Sequence, residues 1–155
     1  MQKLSIATPQ FEYEDAPPGY NSGGVRLGKA LGARDTGATI YELPPGEAVC
    51  PYHYERSEEE WLVVFEGTPT LRHSAGSERL DPWDVVFFPI GPEGAHKVSN
   101  ETDEAVRFLM FSTVKTPAVC VYPDSGKIGV FTGEETDSVI VRRSSNVDYW
   151  DGETG

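Results

Sequence analysis

Three histidines occur in the 155 residues, and two stand where they could ligate a metal ion. The first lies in Pro51-Tyr-His53-Tyr-Glu55-Arg-Ser-Glu-Glu-Glu60-Trp61. On extended backbone residues i and i+2 share a face, so His53 and Glu55 point one way and Tyr54 the other. Glu60 heads the apolar run through Glu66, where period 2 puts it on the face of Leu62 and Val64. A carboxylate at the head of a buried face is costly unless it is paired or bound to a cation. The second setting is Pro89-Ile-Gly91-Pro-Glu-Gly-Ala-His96-Lys-Val-Ser-Asn100, where His96 follows a Pro/Gly turn onto a short strand. Imidazole and carboxylate together suit Fe, Mn, Ni, Co or Zn, and the Irving–Williams order prevents a choice among them. The plainer alternative makes His53 and His96 ordinary core or surface residues and leaves Glu60 in the solvated run Glu58-Glu59-Glu60. His73, just before Ser74-Ala75-Gly76-Ser77, reads as a surface residue at a hairpin loop. Cys50, three residues before His53, is expected to face away from it on an extended segment.

These residues need short strands to carry them. From Thr39 onward apolar runs alternate with turn signals: 39–43, 61–66, 70–73, 85–89, 95–98, 106–113 and 118–122. Val, Phe, Thr and Trp enrich the runs, and Pro-Pro-Gly, Ala-Gly-Ser, Asp-Pro-Trp-Asp and Gly-Pro-Glu-Gly separate them. Such spacing argues an all-β sandwich or barrel. Residues 57–60 could form one turn of helix, and nothing longer is 3.6-periodic. Residues 1–38 read as an irregular arm packing on the barrel, 39–123 as the barrel core, and 124–155 as a tail completing the same domain. The tail carries weaker strand signals at 127–131 and 139–141. Trp61, Phe65, Phe87, Phe88, Phe108 and Phe111 are expected in the core, as packed sheets need such residues.

Lys plus Arg total 13 and Asp plus Glu 25, a net charge of −12. An acidic surface without a basic stripe repels phosphate backbones and anionic membranes, so neither nucleic acid nor membrane is an expected partner. The two cysteines, Cys50 and Cys120, stand far apart, with no export signal ahead of them. They read as reduced thiols in a cytoplasmic protein.

The two histidine segments resemble the paired motifs of the cupin superfamily, G-x5-H-x-H-x3,4-E-x6-G and G-x5-P-x-G-x2-H-x3-N. His53, Glu60 and Gly67 match the first, with the E-x6-G spacing intact; Pro89, Gly91, His96 and Asn100 match the second. The resemblance implies a small double-stranded β-helix (jelly-roll) barrel, often dimeric, holding a divalent metal through His53, Glu55, Glu60 and His96. Four departures stand out. Glu55 replaces the second motif histidine, and one extra residue separates Gly46 from His53. Trp83 stands where the second motif opens with glycine, and the Gly91–His96 interval is two residues longer. A type I turn over Asp81-Pro82-Trp83-Asp84, needing no positive φ, accommodates the tryptophan.

Two geometries are open at the metal. If only His53, Glu60 and His96 bind, they form a two-histidine, one-carboxylate facial triad and leave Glu55 as a catalytic general base. If Glu55 also binds, two carboxylates neutralise the dication and weaken its polarising effect on bound water. The expected function is a metal-dependent enzyme on a small polar substrate inside the barrel, of dioxygenase or sugar isomerase/epimerase type. The alternatives are a non-catalytic module for a small ligand or metal, and a degenerate scaffold with no metal. A phosphorylated sugar calls for basic residues facing the pocket. By period 2 from His96, Lys97 points away, which leaves Arg72 and Arg107. Unpaired edge strands in a single small barrel predict a homodimer.

Overall fold

The computed structural model describes residues 1–13 and 15–155. In chain order its elements are β1 (Glu12–Tyr13), β2 (Gly23–Arg26), the short helix α1 (Leu27–Leu31), β3 (Thr36–Leu43), β4 (Tyr54–Glu55) and β5 (Glu60–Glu66). There follow β6 (Thr70–His73), β7 (Gly76–Arg79), β8 (Val85–Phe88), β9 (His96–Ser99) and β10 (Val106–Thr113). The last three strands are β11 (Ala118–Tyr122), β12 (Lys127–Phe131) and β13 (Val139–Arg142).

The strands form three sheets, in the orders β1-β2-β3-β10-β5-β8, β13-β12-β11-β4 and β7-β6-β9. The chain is thus all-β with one short helix. The expectation of a closed barrel is met only in its coarser form. Among the described residues the sheets make an open sandwich, tied by isolated bridges at Ala48–Ser99 and His53–His96.

Alternation along β5 builds the main core. Leu62 and Val64 turn inward, fully buried, and meet Leu43, Leu71, Val98, Val106 and Phe108. A smaller cluster of Tyr52, Tyr54, Ala95 and Val121 packs around β4. The same alternation corrects the aromatic expectation: only Phe88 and Phe108 of the six are buried. Trp61, Phe87 and Phe111 point outward at 37%, 42% and 37% exposure, with Trp61 stacked on Phe111 and tilted on Phe87. A large apolar side chain signals a strand, but its parity along the strand decides which face it takes.

Three local readings also change. Residues 1–38 are not wholly irregular, because β2 pairs with β3 in the register Gly23–Glu42 to Arg26–Thr39. Residues 57–59 form no helix, and the segment runs directly into β5. The turn at Asp81–Asp84 is type II rather than type I. Its Asp84 N–H donates to the Asp81 carbonyl at 3.0 Å, proline holds the first central position, and Trp83 has φ 76°. Trp83 is the non-glycine residue in the left-handed region among those described, at the position where the motif has glycine.

Candidate metal centre

His53 and His96 are set by one antiparallel bridge between two sheets. The His53 N–H donates to the His96 carbonyl at 3.1 Å, and the His96 N–H returns to the His53 carbonyl at 2.8 Å. Their rings lie side by side with centroids 4.7 Å apart.

Each imidazole is also oriented from behind. His53 Nδ1 lies 3.0 Å from the Pro51 carbonyl oxygen, and His96 Nδ1 lies 2.9 Å from that of Gly94. A carbonyl oxygen only accepts, so each Nδ1 carries the hydrogen and each Nε2 keeps a lone pair. The Gly94 carbonyl reaches His96 because the inserted residues form a tight 3-10 turn, Pro92–Gly94. A Cβ at Gly94 would fall 1.9 Å from the Pro89 carbonyl oxygen, so this turn requires glycine. The His96 ring, 1% exposed, lies flat on Phe88 with centroids 3.8 Å apart. Its Nε2 is buried and has no hydrogen-bond partner. A lone pair so enclosed is unusual unless something else satisfies it.

Carboxylates complete the group. Glu60 Oε2 lies 3.7 Å from His96 Nε2, and Glu55 Oε1 lies 4.0 Å from His53 Nε2. Ligand atoms of His53, Glu60 and His96 all lie within 4.8 Å of one another. Glu55 does not join that triad; within the same limit it groups with His53 and Cys120. Cys120 escaped the sequence reading. It faces Glu55 through the β11–β4 pairing, 65 residues away in the chain, and no local motif announces it. Glu55 Oε2 is likewise buried and unpartnered.

Burial dominates the electrostatics. It pushes the Glu60 carboxyl up to about 8, with further help from the charges of Glu55 and Glu58. It pushes Glu55 up to about 7, against a hydrogen bond from Cys120. Burial lowers His53, and burial with the neighbouring His53 lowers His96 to about 4. Both rings are therefore neutral at pH 7, the form that ligates metals. Two neutral imidazoles with free lone pairs, beside carboxyls whose ionisation is penalised, fit a divalent cation.

Cys50 turns toward the site, with its Sγ 3.5 Å from His53 Nδ1. The expectation that it faces away assumed an extended segment, whereas the backbone bends at Val49 and Cys50. Burial, then the charges of Glu60 and Glu55, push its thiol up to about 12. Cys50 and Cys120 are both free.

A cavity of about 880 Å³ opens from His53 and Glu60. Cys50, Tyr41 and Tyr52 line it beside them, and Ala16, Pro17 and Tyr20 from the N-terminal segment form another part of its wall. Lys97, expected to point away, also lines it, because the cavity spreads beyond the histidine face to the wall where Lys97 meets Tyr20. Arg72 and Arg107 do not line it. Arg72 is held by Asp124, and Arg107 by Glu42 and Glu66.

Residues 39–112 match the family described as the cupin domain. A solved structure described as a sugar phosphate isomerase from a cupin superfamily, from Silicibacter pomeroyi, superposes with a TM-score of 0.79 at 24% identity, covering 97% of this chain and 98% of that one. Residues 39–112 are a cupin domain. A candidate sugar phosphate isomerase from Acidithiobacillus ferrooxidans is similar to the chain at 27% identity and a TM-score of 0.82, covering 92% of this chain and 91% of that one. The polyketide cyclase RemF from Streptomyces resistomycificus shares 22% identity with a TM-score of 0.62, covering 76% and 83%. At its identity, as at that of the Silicibacter protein, the likeness speaks to the fold. No curated protein sequence matches the chain.

Proposed function

We propose that this protein is a metal-dependent enzyme acting on a small polyhydroxylated substrate, of the sugar isomerase or epimerase type. One observation carries the reading: ligand atoms of His53, His96 and Glu60, one from each, lie within 4.8 Å of one another, and His53 and Glu60 open onto a substrate-sized cavity. His53, Glu60 and His96 would hold a divalent ion (Zn, Mn, Fe, Ni or Co), with Glu55 as a second carboxylate beside them. Such an ion, when bound, supplies Lewis acidity toward a substrate carbonyl or hydroxyl oxygen.

The chain's own groups do the remaining work. The two histidines stay neutral and keep their orientation through the Pro51 and Gly94 carbonyls. Glu55, pushed up to about 7, is matched to taking and returning a proton near neutral pH, as isomerisation beside a carbonyl requires. It does not line the cavity itself; its Oε1 lies 4.0 Å from His53 Nε2, behind the lining histidine. The 27% identical relative, a candidate sugar phosphate isomerase, supports this reaction class. The test is proton exchange. Metal-stripped protein is reloaded with each ion in turn and incubated in D2O with aldose–ketose pairs, and deuterium at C2 is followed by NMR. Exchange should require metal, vanish in His96→Ala and fall at least a hundredfold in Glu55→Gln. Protein that binds metal tightly yet exchanges no proton on any pair would overturn the reading.

The same triad also matches the ligand set of non-haem Fe(II) oxygenases. Oxygen uptake with Fe(II) but no exchange in D2O would select that second reading. Metal binding with neither activity would select a binding module.

We also propose a cytoplasmic homodimer. Strand β8 is an unpaired edge of the six-stranded sheet, and Trp61, Phe87 and Phe111 crowd the outer face beside it. Free thiols at Cys50 and Cys120 fit a reducing compartment. No helix among the described residues is long and apolar enough to cross a membrane.

A further inference from the structure

We infer that the cavity holds a phosphate-binding subsite built from Lys97, Lys127 and Ser125, so that the substrate is a phosphorylated sugar rather than a neutral one. This rests on reading the cavity as the substrate site of a metal-dependent enzyme.

The three residues line one cavity from separate elements. Lys97 lies on β9, Ser125 in the 3-10 turn Pro123–Ser125, and Lys127 opens β12 just beyond it. All three line the cavity that reaches His53 and Glu60. Lys97 pairs across β9 and β6 with Arg72, whose guanidinium holds Asp124 of that turn. Lys127 lies opposite Tyr122 in the strand register, and the Tyr122 ring stacks 6.1 Å from the ring of His53. One aromatic ring thus stands between Lys127 and His53.

Each ammonium rests against an aromatic ring. Lys97 Nζ sits 5.2 Å from the centre of the Tyr20 ring, and Lys127 Nζ 5.1 Å from that of Tyr122. Among the described residues no carboxylate forms an ion pair with either. In a chain with 25 acidic and 13 basic side chains, two such lysines on one cavity wall call for an explanation. The acid best placed to pair with them is Asp124, and Arg72 occupies both of its oxygens at 2.6 and 2.9 Å. Arg72 is the cross-strand partner of Lys97, so this bidentate pair removes the competing carboxylate at the point where Lys97 enters. Glu12 and Asp15 also line the cavity, both from the N-terminal segment. Ser125 Oγ is buried without a hydrogen-bond partner. Two ammonium groups, each with three donors, and a free hydroxyl match a phosphate dianion, and lysine serves there as a point charge. The aromatic rings hold the two ammonium groups in place while leaving their donors unused.

The experiment is calorimetric titration of metal-loaded, full-length protein at 150 mM salt. Its probes are inorganic phosphate, glucose 6-phosphate, glucose and gluconate. Inorganic phosphate and glucose 6-phosphate should bind, the sugar phosphate at least tenfold tighter than glucose. Lys97→Met and Lys127→Met should each weaken both at least tenfold, and Ser125→Ala severalfold. These substitutions keep the apolar stem, and unchanged thermal melts will show that the variants are folded. His96→Ala should lose metal-induced stabilisation and keep inorganic phosphate binding. Phosphate binding without any metal binding would refute the enzyme reading and leave the subsite standing. Metal binding without phosphate binding, phosphate binding that ignores both lysine variants, or gluconate binding as tightly as glucose 6-phosphate would overturn the subsite.

Discussion

His53 and His96 exchange both of their backbone hydrogen bonds, so the two imidazoles of the candidate site stand on a single bridge between two sheets. The ligand geometry is therefore fixed by main-chain pairing before any side chain is chosen. It is also vulnerable, because the bridge is isolated and not part of a longer ladder.

Metal should clamp that bridge. At one hundred times its dissociation constant, an ion bound only by the folded state adds about 2.7 kcal/mol. For a domain of this size that is a rise of about 5–11 °C in the unfolding midpoint. A thermal melt of chelator-stripped protein with Mn, Fe, Ni, Co and Zn added in turn measures it. His96→Ala and Glu60→Gln should abolish the rise, and Glu55→Gln should shrink it.

Without metal, stability should fall as pH rises from 6.5 to 8. The Glu60 and Glu55 carboxyls, raised to about 8 and about 7, keep protons in the folded state that the unfolded chain has released above 4.5. The folded state then binds more protons, so stability declines through this window. The lowered His96 works oppositely, adding stability as pH rises from about 4 to 6.5, and is silent above that. The decline should be about 2 kcal/mol, read from urea melts at each pH, and Glu55→Gln should make it shallower. A flat apo profile between 6.5 and 8 would contradict the burial of both carboxyls.

Trp83 offers a backbone test. Its positive φ costs about 1–3 kcal/mol, while its edge contact with Phe65, at a centroid distance of 6.1 Å, returns about 0.5–1.5 kcal/mol. Trp83→Ala loses the contact and keeps the strain, whereas Trp83→Gly loses both. Glycine should thus be the more stable variant by about 1 kcal/mol in paired denaturant melts. The opposite order would mean that the turn relaxes when the ring is removed.

The outer aromatic face gives a fourth prediction. If β8 and the Trp61–Phe87 pair meet a second copy, sedimentation should show a dimer at micromolar concentration. Phe87→Glu should then yield monomers that still take up metal. A wild-type monomer of 17.0 kDa would discard the interface.

The sequence was informative where chemistry follows local spacing. The alternation of His53 with Glu55, the placement of Glu60 ahead of Leu62 and Val64, and the Pro/Gly turn before His96 are all short-range signals. Most strand positions were equally legible, because Val, Phe and Thr runs between turns mean the same thing in any order of assembly. What pairing decides was not legible. Cys120 meets Glu55 across a register with no sequence signature, and Cys50 approaches His53 because two residues bend. β7, Gly-Ser-Glu-Arg, is a fully exposed strand held by its partner β6, and its composition reads as loop. The type II turn at Trp83 goes against the ordinary preference for glycine, so the sequence pointed to the wrong turn.

The cavity wall has a consequence for how such a protein can diverge. The three triad residues all fall inside the segment shared with the cupin family, residues 39–112. Much of the wall does not: Ala16, Pro17 and Tyr20 precede that segment, and Ser125 and Lys127 follow it. The candidate metal ligands and part of the cavity wall, Lys97 and Tyr41 excepted, are therefore written in different stretches of one chain. An exchange of the first 38 residues or of the hairpin after Tyr122 would change that part of the wall while leaving His53, Glu60 and His96 untouched. Chimaeras joined at those two seams are the natural units for changing one without the other.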